Sequence, residues 1–369
     1  MLAELPTRGS CPLCGIRLSQ DNRSDEHIFA KWLQERFGLG NLKLNIPNYL
    51  DKFYRTVRID ICRRCNNEIF SRIEGQVRNA LFESTTRAEF LQHVSDVTVV
   101  RWLCKILLLN SVKSNWNSDY RQLKEGRTAS ILPDDTVKGL SSVRLFLRAL
   151  IEDKHFQCLF PISGTPYLAQ RAFASTYYLE VDQRDNARYG AFDFLDLPMI
   201  PAAYVRLGHI CIIMILDGGL HNKYRGHLVF PFYDHKLHPL QTLELFGRVI
   251  YDTLLLGEEF GPVEYFYKDV SRIYFMKFAV PFEPFPYRVE EYSEEHLSQV
   301  VSRLTMENPE ELFDRSLGQM RTKLYGPDGE IWTYPVTDGE VAAAAQKPGV
   351  RFHNDTGVKW RRREWMPEG

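Results

Sequence analysis

An α+β protein of more than one domain is the class this sequence predicts, on three observations. Two C-x2-C pairs, Cys11/Cys14 and Cys62/Cys65, bracket an N-terminal stretch too loop-rich for an ordinary core. Apolar residues then recur at helical spacing through residues 66–112. Beyond about residue 150 the texture changes to β-branched and aromatic runs broken by Gly, Pro, Asp and Asn. The expected parts are a compact unit at 1–86, a helical connector at 87–132, a larger mixed α+β domain at 133–325 and a C-terminal extension at 326–369.

The elements follow in order. A knuckle at Cys11–Cys14 precedes a short helix from Ile28, an extended "YRTVRIDI" and the second knuckle. "NNEIFSRIEGQVRNALF" places Ile69, Ile73, Val77, Ala80 and Leu81 on one helical stripe. Residues 88–112 read as one long helix, its apolar run "VVRWLCKILLL" interrupted by Arg101 and Lys105. The polar stretch from Ser114 to Pro133 is the best domain boundary. Another amphipathic helix covers 138–153. "FASTYYLEV", "RYGAFDFLDL", "AYVRL", "HICIIMIL" and "RGHLVFPFY" read as strands, with a hairpin turn at Gly208. A helix near 238–256, strands within 263–282 and helical stretches at 293–305 and 309–322 complete the domain. The tail ends in the basic, aromatic "KWRRREW", a pattern shared by nucleic-acid arms and disordered termini.

Composition sets the limits. Of 369 residues, 44% are hydrophobic and 13% aromatic, which excludes a disordered chain. Net charge is −1, so the whole molecule has no electrostatic signature for nucleic acid. Residues 1–82 nevertheless carry 13 Lys/Arg against 9 Asp/Glu, a mildly basic part on an acidic body. The start "MLAELPTRGS" has no signal-peptide character, and no apolar run approaches the roughly 20 residues of a membrane span. A soluble, cytoplasmic protein is expected. In a reducing compartment, paired cysteines point to metal or redox chemistry.

Each C-x2-C pair can bring two thiolates to one tetrahedral Zn²⁺. Such a site supplies on the order of 10 kcal/mol of folding free energy, enough to hold a loop-rich unit together. The 47 residues between the pairs contain "SDEHIFAKWL". Four thiolates already close a zinc site, so His27 is not needed as a ligand. It stands beside Glu26 and Asp25, and the second knuckle runs into Asn66 and Asn67. A carboxylate and an amide can hold Mg²⁺ while a neutral histidine deprotonates water. Equally, Asn66 can be a helix N-cap and Asp25 an exposed charge.

The order "CPLC … DEHIFAKWL … ICRRCNNEIFSRIEG" resembles the HNH (ββα-metal) endonucleases, in the branch with two zinc knuckles. The resemblance covers residues 8–82, under a quarter of the chain. It implies a small zinc-clamped ββα-metal HNH domain, with Cys11, Cys14, Cys62 and Cys65 on structural zinc. It implies His27 as general base, and Glu26 and Asn66 as ligands of a catalytic Mg²⁺ or Mn²⁺, with Glu74 a lesser candidate. Arg63, Arg64, Arg72 and Lys31 are candidate phosphate contacts. The implied activity is hydrolysis of DNA phosphodiester bonds, in a setting such as restriction or anti-phage defence. An HNH-type ribonuclease and a non-catalytic zinc-ribbon module binding DNA or protein are the alternatives. The large C-terminal domain suits recognition, a protein partner or homo-oligomerisation. Two departures stand out: Ala30 replaces the usual Pro, and "TVRIDIC" lacks the middle Asn that orients the base. Asn41, Asn45, Asn48 or a backbone carbonyl are its candidate substitutes.

Overall fold

A computed structural model describes residues 6–44, 52–116, 134–151, 155–159, 174–184, 186–197, 202–255, 264–268, 273–277, 292–325 and 329–332. The "KWRRREW" tail, Asn45 and Asn48 lie outside the described residues. The architecture is mixed α+β. Strands Arg23–His27 and Arg58–Cys62 pair antiparallel, Arg23 facing Cys62 and His27 facing Arg58. The second strand runs into a π-helical turn, Cys65–Phe70, and then the α-helix Ser71–Phe82. That helix buries Ile73, Val77, Ala80 and Leu81, the stripe its sequence spacing predicts.

The single helix expected over 88–112 is two, Arg87–His93 and Asp96–Asn115. Val94 and Ser95 are extended, and the Ser95 hydroxyl accepts from the Thr98 amide, starting a new helix. Ser is among the strongest N-caps, so the local signal overrides the continuous apolar pattern. The second of these, the connector helix, is buried on nearly every side from Val99 to Val112.

A five-stranded sheet dominates the C-terminal body. Ser175–Val181, Phe192–Leu197, Ala202–Leu207 and Ile210–Ile215 are joined antiparallel, and Lys236–Leu237 adds a parallel edge. Gly208, at φ 63°, makes the expected hairpin turn between Leu207 and Ile210. Successive side chains serve opposite cores. Ile210, Ile212 and Met214 join the core that includes Cys11, Phe29, Phe70 and Leu103. Cys211, Ile213 and Ile215 join a second core with the helices Pro239–Leu255 and Glu294–Thr305. A sheet covered on both faces explains why "ICIIMI" is apolar throughout rather than alternating. A separate three-stranded sheet holds His155–Leu159, Glu264–Lys268 and Ile273–Lys277.

Two expected elements differ. The "RGHLVFPFY" stretch forms 3₁₀ turns at Gly226–Leu228 and Phe230–Asp234, because Pro231 denies a strand its amide donor. Within 309–322 only Pro309–Leu312 is helical. The helix stops at Leu312 with an extended Phe313, and Phe313–Asp314 and Gln319–Met320 then pair around a turn containing Gly318 at φ 65°. Among the described residues no helix is long and apolar enough to cross a membrane.

The two back-face helices meet closely at Gly247, where an added Cβ would lie 3.0 Å from Val301 Cγ2 and 3.1 Å from Leu304 Cδ1. Gly247→Leu is therefore expected to cost about 1–3 kcal/mol by overpacking. Urea unfolding should show a lower midpoint at unchanged slope.

Candidate functional site

Local chain geometry builds the two knuckles. In the first, the Gly15 amide donates to Cys11 O at 2.9 Å and the Cys11 amide to Ile16 O at 2.8 Å. Gly15 takes φ 82°, a left-handed turn that an L side chain resists. In the second, the Cys65 amide points at Cys62 Sγ, 3.5 Å away. The hairpin and the knuckles bring all four sulfurs within 4.8 Å of one another, and Cys14 and Cys62 Sγ lie 3.6 Å apart. Sulfurs around a tetrahedral zinc at about 2.3 Å stand about 3.8 Å apart, so the cluster could hold a zinc ion.

The thiols also affect one another's ionisation. Cys14 and Cys65 hydrogen-bond to Cys11 and pull its pKa down to about 2. The same contact with Cys11 pushes Cys14 up to about 11, and Cys65 rises as well. Four close sulfurs cannot all ionise unless a cation compensates them. Among the described residues, these four are the group of His, Cys, Asp or Glu side chains close enough to hold a metal.

Strand alternation separates the two residues that the sequence places side by side. Ser24 and Glu26 face inward with Ile59 and Ile61, and Glu26 is buried. Asp25 and His27 face the other way. There Arg58, the cross-strand partner of His27, forms a 2.7 Å ion pair with Asp25, and Arg23 pairs with Asp60 at 2.8 Å. His27 is half-buried at the strand end. Burial pushes its pKa below the usual histidine range, and the cations Arg58 and Lys31 push the same way against Asp25. These effects together favour the neutral imidazole. No hydrogen bond to its ring is present among the described residues, and Asn41 is engaged by Arg55 instead.

On the inner face Glu26 meets a residue that its sequence neighbourhood did not announce. The Lys105 ammonium, from the middle of the connector helix, pairs with both Glu26 Oε1 and Glu74 Oε1. It also donates to the His27 carbonyl at 3.2 Å. Burial works against the Lys105 charge, but Glu74 and Glu26 outweigh it and raise its pKa. Burial raises the Glu26 carboxyl, with Lys105 opposing and Glu74 adding to the rise. Asn66 is adjacent, its Nδ2 donating to Ser24 Oγ at 2.8 Å. The structure thus brings Glu26, Glu74 and Asn66 near one another, but both carboxylates clasp an ammonium. In this arrangement they do not fit a divalent cation as ligands.

Lys31, Arg63, Arg64 and Arg72 are exposed. Arg64 leans towards Glu68 at 3.7 Å, and Arg63 Nε donates to Arg23 O at 3.3 Å. The histidines of the C-terminal body serve separate local bonds: His209 Nε2 with Ser84 Oγ at 3.2 Å, His221 Nδ1 with Tyr177 OH at 2.5 Å.

Purified protein is expected to carry one zinc ion per chain by elemental analysis. Cys65→Ser should lose that zinc and raise amide exchange in the strands Arg23–His27 and Arg58–Cys62. Full zinc occupancy in the variant would contradict the four-cysteine centre. No protein-family model matches the chain, and neither a curated protein nor a solved structure matches it.

Proposed function

We propose that the N-terminal unit is an HNH-type nuclease centre that hydrolyses phosphodiester bonds in DNA, with His27 as general base. The observation that carries this reading is the placement of His27. It is a half-buried imidazole at the end of a hairpin that continues into a helix, in a unit where four cysteines come together. A neutral imidazole can take a proton from water as the water oxygen attacks phosphorus. The P–O bond to the leaving sugar oxygen then breaks, and that oxygen takes a proton from solvent. Exposed Lys31 and Arg58, the cations that act on His27, are placed to meet phosphate charge. Arg63 and Arg64 in the second knuckle and Arg72 in the helix after it are further exposed cations.

A second reading also has its observation. Glu26 and Glu74 are both engaged by Lys105, and among the described residues no Asn orients the His27 ring. Those facts favour a non-catalytic zinc module that binds DNA or a protein.

Incubation with supercoiled plasmid and Mg²⁺ or Mn²⁺ separates the two, with labelled RNA digested in parallel to test the ribonuclease alternative. Wild type is expected to nick plasmid, and zinc-loaded His27→Ala to lose about 10²-fold or more. Equal or absent nicking by both proteins would overturn the nuclease reading. The pH profile has a defined sign. Because the His27 pKa lies below 6.5, cleavage should fall only as pH drops through a midpoint under that value. Above neutrality this limb should be flat.

A further inference from the structure

The connector helix is apolar almost all round, yet in its middle stands a lysine that is 1% exposed. Its ammonium contacts three oxygens, from Glu26, Glu74 and the His27 carbonyl. They come from the inner face of the hairpin, the helix after the second knuckle, and the backbone of the proposed base itself. This oxygen set, with two carboxylates and a carbonyl, is what a hard divalent cation would seek. Here one fixed charge on a protein side chain fills that place.

We propose that Lys105 is the resident cation of this centre. It excludes a divalent ion from the Glu26–Glu74 pair and positions the His27 strand end. Lys105 touches no substrate in this arrangement, so its role is positioning rather than catalytic. The helix that carries it is tied to the sheet on either side of the lysine. Tyr178 OH donates to Asp96 Oδ1 at 2.6 Å, and Asn110 Nδ2 to Asp196 Oδ2 at 2.7 Å. The ammonium therefore has little freedom to withdraw while the helix stays docked. That placement stands on geometry alone; only its consequence for cleavage rests on the nuclease reading.

The test measures Mn²⁺ binding to zinc-loaded protein without nucleic acid, by the loss of the free Mn²⁺ paramagnetic resonance signal. Folding is followed by thermal melting. Wild type is expected to show no Mn²⁺ binding that Glu26→Gln removes. Lys105→Met leaves the buried Glu26 and the part-buried Glu74 carboxylates without a cation, so it should melt lower and bind Mn²⁺ at least about tenfold more tightly. Adding Glu26→Gln to that variant should abolish the gain. A lysine that only filled space would leave Mn²⁺ affinity unmoved. Should Lys105→Met fail to fold, Glu26→Gln alone decides. It must lower the melting temperature in divalent-free buffer and leave Mn²⁺ binding as in wild type. Wild-type Mn²⁺ binding that disappears in Glu26→Gln would overturn the proposal, as would a Lys105→Met protein that folds and gains none. Because no cleavage is measured, these outcomes are separate from those of the plasmid assay.

Discussion

A charge taken out of water must be matched inside the protein, and that constraint organises the N-terminal half of this molecule. Lys105, 1% exposed, is enclosed between its own helix, the hairpin, and the Cys65–Phe70 turn with the helix Ser71–Phe82 that follows it. Leaving such an ammonium unpaired costs several kcal/mol, and removing one partner of a buried ion pair typically costs about 3–5 kcal/mol. Glu26 and Glu74 supply the match from two different elements. Geometry that satisfies the lysine therefore fixes the hairpin and the helix Ser71–Phe82 against the connector. Apolar packing around Phe70, Leu103 and Phe29 follows the same arrangement, and the Lys105 ammonium stands 5.4 Å from the centre of the Phe70 ring.

The cysteine cluster works beside this pair on a different part of the unit. It joins the start of the chain to the end of the second strand across 47 intervening residues. Crosslinks that close long loops remove the most freedom from the unfolded chain. The first knuckle is also braced from outside, because Arg144 Nε donates to Leu13 O at 3.0 Å. Trp116 Nε1 likewise reaches Pro6 O at 2.8 Å. The cluster is thus held from one side by its own loops and from the other by helices that follow it in the chain.

Legibility in the sequence followed how local each signal was. The C-x2-C pairs carry their spacing in four residues, and the structure brings them together. The turn at Gly208 and the helix Pro239–Leu255 were readable for the same reason. The break at Ser95 is hard to see in the sequence because a broad apolar stripe runs across a one-residue cap. In "RGHLVFPFY" the aromatic content suggests a strand where Pro231 forbids one. The partner of Glu26 lies 79 residues away, so no motif window contains it. One trace was present: a lysine interrupting an otherwise apolar helical run. A lone charge in such a run must find a buried counter-charge, but Asp96, Glu89 and Glu83 all lie nearer in the sequence than Glu74 and Glu26. That inference needs three-dimensional placement to name the pair.

The same placement changes how the acid–histidine pair reads. Adjacent residues on a strand point to opposite faces, so "EH" is not one cluster but two surfaces of a single ribbon. Glu26 faces the core and belongs to the scaffold; His27 faces out, among Arg58, Asp25 and Lys31. The peptide between them is the link, because Lys105 holds the Glu26 side chain and the His27 carbonyl together. An imidazole without a hydrogen-bonded orienting residue can still be set by its backbone, provided that backbone is clamped. Here the clamp is supplied from residue 105, on a helix bonded to the C-terminal sheet at Asp96 and Asn110. The histidine surface is therefore completed by residues beyond 86. Any displacement of the front of the sheet would reach His27 through one helix and one ammonium.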